Sequence, residues 1–233
     1  MPLSPFSFGI VSKTKGATSM PSIIQTTVYR LGELGERAKD AARAWYREGA
    51  FDHDWHDAVY ADFEQICAFL GITLATRSVR LTGGGSRQKP CIWFSGFWSQ
   101  GDGACFEGYL SHAKGATASI RDYAPQDTTL HGIADRLQAI QRRNFYQLAA
   151  EASHRGRYYH EFTMSVDVTR DSQTGQPPTD DAEEVVTEIF RDLARWLYRQ
   201  LQAEYDHLTS DEAIEEGIVI NEYTFTEAGR RFG

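Results

Sequence analysis

The sequence predicts an α+β fold: a single domain in which an antiparallel sheet packs with several helices, two of them long. Two observations carry this reading. Alternating β-branched and aromatic runs come in meander-like groups instead of alternating strictly with helices, which argues for antiparallel pairing. No stretch of the 233 residues is long and featureless enough to separate two cores. The domain is expected over 22–233, preceded over 1–21 by a Ser-, Gly- and Pro-rich flexible leader in which Met20 offers a second translation start besides Met1.

The elements follow in order. Ile23 to Leu31 is β-branched and alternating, a first strand. Leu34 to Arg47 carries Leu34, Ala38, Ala41, Ala42 and Trp45 at helical spacing, with Gly49 as a stop. Asp52 to Leu70 places Trp55, Val59, Phe63, Ile66 and Leu70 on one stripe ahead of Gly71, and the two segments are expected to form a helical hairpin packed through Trp45, Trp55 and Phe63. Ile72 to Leu81 reads as a strand and Gly83-Gly84-Gly85-Ser86 as a connector. Cys91 to Trp98 and Ala104 to Leu110 read as strands joined by the turn residues Ser99-Gln100-Gly101-Asp102-Gly103. A helix capped by Asp127 or Thr128 is expected to run to about Ser153, and Tyr158 to Thr169 alternates as a strand. After a loop over Asp171 to Asp180 come a second long helix, Asp181 to His207, a short one, Asp211 to Gly217, and a strand-like Ile218 to Thr226.

Composition narrows the function. Lys+Arg 24 against Asp+Glu 32 gives a formal charge of −8 with no basic run, which argues against direct binding of duplex DNA through its phosphates. No segment approaches the roughly 20 apolar residues of a membrane span. Cys67, Cys91 and Cys105 are an odd set without a CxxC pair, so a reducing cytoplasm is expected rather than a disulfide framework.

The segment from Phe94 to Gly108 is the least ordinary part of the chain. Glycines there permit close backbone approach or positive φ, while aromatics can wall a pocket or form a recognition surface. Trp98, Ser99, Gln100 and Asp102 are candidate binding residues; the structural alternative is a tight hairpin whose aromatics are core. Catalysis has weaker candidates: Asp102 as a proton acceptor, and Cys105 as a nucleophile if His154 or His160 stood beside it as base. Against this, a small thiol in a strand is ordinary core. Arg142, Asn144 and Tyr146, followed by Arg155, concentrate arginine in an acidic chain and suit a phosphate or carboxylate. Alternatively, these arginines pair with carboxylates. His53 and His56 sit among aspartates at a helix start, and no metal set is demanded. No cofactor is implied. The long helix from Asp181 serves the core or a homodimer interface.

The string Phe94-Ser95-Gly96-Phe97-Trp98-Ser99-Gln100-Gly101-Asp102-Gly103-Ala104-Cys105-Phe106, with Trp45-Tyr46-Arg47, Asp54-Trp55, Val59-Tyr60 and Asp62-Phe63 before it, resembles a family of uncharacterised phage and prophage proteins, some labelled antitoxin-like. The resemblance covers roughly Thr27 to Asp167 and implies a setting, a phage accessory protein in the bacterial host cytoplasm, with no catalytic residues to carry across. Two functions follow as expectations. The first is binding and neutralising a host factor, a toxin or defence component, without catalysis. The second is binding or hydrolysing a nucleotide-like ligand in a pocket between the Ser99–Cys105 hairpin and a helix over 128–153.

Overall fold

The structure is a computed structural model and describes residues 25–49 and 54–233; the leader, the start of the first predicted strand and His53 lie outside them. It is an α+β fold. Helices α1 (Glu36–Gly49) and α2 (Asp57–Leu70) lead into β1 (Ile72–Leu74), β2 (Thr76–Arg80), β3 (Ser86–Pro90), β4 (Ile92–Phe94), β5 (Ala104–Phe106) and β6 (Gly108–Leu110). Next come α3 (Ala116–Tyr123), α4 (Thr128–Arg143), β7 (Leu148–His154) and β8 (Met164–Arg170), then α5 (Ala182–Leu208), α6 (Asp211–Ile220), β9 (Thr224–Phe225) and β10 (Arg231–Phe232).

The central sheet has the order β1-β6-β7-β8, antiparallel throughout. Two further hairpins, β2–β3 and β4–β5, branch from it. The three strand pairs meet at single residues that belong to no strand. Ala75 N–H donates to the Glu107 carbonyl (2.9 Å), Glu107 N–H to that of Cys91 (2.9 Å), and Cys91 N–H to that of Ala75 (2.7 Å). This closed triangle satisfies the backbone groups that a break in three ladders would otherwise strand in the interior. The predicted strands over Ile72–Leu81 and Ala104–Leu110 are therefore each two strands, broken at Ala75 and Glu107.

Three other expectations are corrected. The helix from Asp127 ends at Arg143, not near Ser153, and Leu148–His154 is a strand pairing with both β6 and β8. The turn between them places Phe145 (φ 57°) and Tyr146 (φ 60°) in the left-handed region, which costs about 1–2 kcal/mol per residue. Buried side chains offset this. Gln141 Nε2 donates to the Leu148 carbonyl (2.9 Å) and its Oε1 accepts from Leu148 N–H (3.2 Å). Asn144 Nδ2 donates to the Ile140 carbonyl (3.0 Å) and to Thr179 Oγ1 (3.0 Å), while its Oδ1 accepts from Thr179 N–H (2.9 Å).

The helical hairpin of Trp45, Trp55 and Phe63 does not form. Trp45 packs with Tyr223 (5.2 Å) and Phe225 (5.9 Å) of the C-terminal segment, in a small core of Leu31, Leu34, Ala42, Ile214, Ile218 and Phe225. Tyr46 lies against Gly217, whose missing side chain lets the ring approach α6. Phe63 instead joins the main core, where α2, α4 and α5 cover the sheet, and Trp55 packs against it. Finally, Ile218 to Ile220 end α6 rather than begin a strand, and α3 is a helix the sequence reading passed over.

Candidate functional site

The aromatic hairpin is built from its turn outward. Asp102 Oδ2 accepts from the N–H groups of Ser99 (2.7 Å) and Trp98 (3.1 Å), and Asp102 N–H donates to the Ser99 carbonyl (3.1 Å). Ser95 N–H donates to the Gly103 carbonyl (3.0 Å), and Gly103 N–H returns to Ser95 Oγ (3.3 Å). Tyr198 on α5 donates its hydroxyl to the Gly96 carbonyl (2.9 Å). Asp102 thus fixes the loop, and the loop holds Trp98 outward at 73% exposure, its ring edge-on to Phe97 (5.9 Å) and Tyr205 (5.3 Å). Ser99 and Gln100 are exposed beside it.

The catalytic candidates fare differently. Cys105 is fully buried in β5, and burial pushes its thiol up to about 12. Burial raises the thiols of Cys67 and Cys91 as well. A nucleophile needs the opposite shift, because the thiolate attacks. Each histidine has a local partner: His154 Nε2 meets the Tyr158 carbonyl (2.8 Å), and His160 Nδ1 accepts from Phe162 N–H (3.1 Å) at the start of a short 3₁₀ turn.

The members of the arginine cluster have different surroundings. Asn144 is buried with its amide inside the fold. Arg142 and Arg155 are exposed and make no ion pair among the described residues. Tyr146 packs at a tilt against His112 (4.7 Å) and lines a cleft of about 370 Å³ with His112, Lys114, Leu137 and Gln138, between the turn before α3 and α4.

A second cleft, of about 360 Å³, lies between α2 and the β2–β3 hairpin. Sequence reading missed it because its walls come from α2, β2–β3 and β4. The signal was present, however: Thr76 to Pro90 holds Arg77, Arg80, Arg87 and Lys89 and no acid. Pairing sets Arg77 opposite Lys89 and Val79 opposite Arg87, which puts three cations on one face. Lys89 Nζ bonds Asp54 Oδ2 (2.8 Å), and the Arg77 guanidinium lies 5.6 Å above the Trp93 ring. The His56 and Tyr60 rings pack at a tilt, centroids 4.6 Å apart, on the opposite wall. Burial pushes the Tyr60 hydroxyl up and the His56 imidazole down, and His56 Nδ1 is shielded without a hydrogen-bond partner among the described residues.

His56 sets a pH dependence. The unfolded imidazole takes a proton near 6.5, while the folded one resists it despite Asp54 and Asp57 nearby, with Lys89 adding to the resistance. Below 6.5 the unfolded state therefore binds more protons, and stability falls as pH falls. Urea titrations at pH 7.5 and 5.5 should show this loss, bounded by about 1.4 kcal/mol per pH unit for one proton, and a shallower slope in His56→Gln. An unchanged slope in that variant would remove His56 as the cause.

Among the described residues no three His, Cys, Asp or Glu side chains gather into a metal-holding group, and no helix is long and apolar enough to cross a membrane. Fold and surface together define the class: an α+β domain with an aromatic hairpin that exposes Trp98 at its tip. The chain belongs to the family described as Domain of unknown function (DUF8835), which it matches over residues 55–211, more than half its length. No curated protein and no solved structure matches it.

Proposed function

We propose that this protein is a phage accessory factor that binds a basic protein of the bacterial host and neutralises it by occupancy, with the hairpin tip at Trp98 as its contact. The observation that carries this reading is the exposure of Trp98 on a loop already fixed by Asp102. An aromatic anchor presented without further ordering retains more of its burial energy on association. The neighbouring ring, Tyr205, is flanked by Glu204 and Asp206 in a chain of formal charge −8, which favours a basic partner and speeds its encounter.

The test is capture of a stoichiometric partner from host lysate, followed by titration with purified variants. Trp98→Ala should weaken binding roughly 30-fold, the effect of losing about 2 kcal/mol at an anchor. Phe145→Ala, which removes a comparably exposed ring elsewhere (70%), should leave it intact. Equal affinity of the Trp98→Ala protein would overturn the assignment.

A further inference from the structure

We infer that the cleft between α2 and the β2–β3 hairpin is a binding site for a nucleoside monophosphate whose base carries an exocyclic amino group. The site is separate from the Trp98 surface and does not depend on it.

Charge is the first support. Two-stranded hairpins are marginal, and like charges directly opposite weaken them further. Yet this one sets Arg77 across from Lys89 with Arg87 on the same face. Asp54 neutralises Lys89, while Arg77 and Arg87 make no ion pair among the described residues. An anion lodged between the two guanidiniums removes that repulsion, and their planar forks match a phosphate.

Shape is the second. The volume of about 360 Å³ lies near the small end of the roughly 300–1,000 Å³ that small-molecule sites span, which suits one mononucleotide. Aromatic rings border the rest of the space, Tyr60 and His56 on α2 and Phe94 on β4, with Trp93 beneath Arg77, and a planar base gains about 1–3 kcal/mol by stacking on such a ring.

The carboxylates decide the ligand class. Asp57 and Glu64 also line the cleft. They disfavour a polyanion and accept hydrogen bonds, and an exocyclic amino group offers them two N–H donors at the end of the ligand away from its phosphate. Phosphate at one end and an amino-bearing base at the other use both sets of groups. Inorganic phosphate lacks the base, and a nucleic-acid strand brings further phosphates against Asp57 and Glu64.

Isothermal titration of the full chain with adenosine, guanosine, cytidine and uridine monophosphates, inorganic phosphate and a short single-stranded oligonucleotide tests this. One or more of the three amino-bearing nucleotides should bind at least tenfold more tightly than uridine monophosphate or phosphate. The Arg77→Ala/Arg87→Ala double variant, which alters exposed side chains and should unfold like the parent, should lose at least tenfold. Trp98→Ala should bind as the parent does, so failure here and failure of the partner reading separate. Absence of binding by all four nucleotides overturns the inference, as does equal affinity for phosphate or undiminished binding by the double variant. Tighter binding of the oligonucleotide overturns it in favour of a nucleic-acid surface.

Discussion

Phe106→Ala is expected to lower the unfolding free energy by about 3–5 kcal/mol, the range for deleting a buried phenylalanine ring. For a chain of this size that corresponds to a fall of roughly 6–20 °C in melting temperature. Phe106 is fully buried, edge-on to Phe63 of α2 (5.1 Å) and stacked on Phe190 of α5 (5.5 Å). Its own strand, β5, anchors the aromatic hairpin and borders the Ala75–Cys91–Glu107 triangle. The void left by alanine would therefore face two helices and a strand whose end is fixed by the backbone triangle, and partial collapse is costly. Trp98→Ala, at the other end of the same hairpin, should change stability by no more than about 0.5 kcal/mol, as surface substitutions do. Chemical denaturation of the two variants checks both figures. A loss below about 1 kcal/mol for Phe106→Ala would mean the hairpin root is not part of the main core.

The elements legible in the sequence were those in which local pattern and tertiary packing agree. The expected stripe of Val185, Ile189, Leu193, Trp196, Leu197 and Leu201 lies on the packed side of α5, with Val186 rather than Val185 the fully buried valine, and the helix spans Ala182–Leu208 against an expected Asp181 to His207. Asp127 was readable as a cap, and it does accept from Leu130 N–H (2.9 Å), with its second oxygen taking the Trp196 indole N–H (2.7 Å). The end of α4 was not readable. Phe145 and Leu148 continue the helical spacing, and the Ala-rich segment of β7 favours helix locally. The buried Gln141 and Asn144 amides, with backbone bonds such as Tyr146 N–H to the Gln141 carbonyl (2.6 Å), hold the turn that converts it to a strand, which is tertiary context overriding propensity. The same holds for Trp45, whose partners Tyr223 and Phe225 lie far along the chain. For the candidate site, the glycine and aromatic density of Ser95–Gly103 marked the segment whose tip exposes Trp98, but the role of Asp102 as the brace of its own loop needed the fold. The acid-free run of cations over 76–90 was legible, but not the cleft, because pairing across β2–β3, not sequence proximity, places Arg77 beside Lys89 and faces both toward α2.

Gly103→Ala should cost about 1–3 kcal/mol, the usual penalty for forcing extra atoms into a packed site, and should do so by unseating the platform beneath Trp98. A Cβ at position 103 would stand 2.5 Å from His160 Cβ, 2.9 Å from His160 Cα and 3.2 Å from the Tyr159 carbonyl oxygen. Two of these neighbours are backbone atoms, so no rotamer change relieves the clash. Either the Tyr159–His160 segment or the hairpin must move. Movement of the hairpin breaks the Ser95–Gly103 bonds and loosens the loop that Asp102 closes. Amide hydrogen exchange over 95–103 should then accelerate by roughly 5- to 150-fold, the equivalent of that free energy, and partner affinity should fall even though the Trp98 side chain is untouched. Asp102→Ala acts on the same loop from its other side and should speed the same amides while leaving the main core intact. Unchanged exchange in both variants would mean that the loop is held by something other than Asp102 and the seat on His160, and Trp98 would lose its claim to be a preorganised anchor.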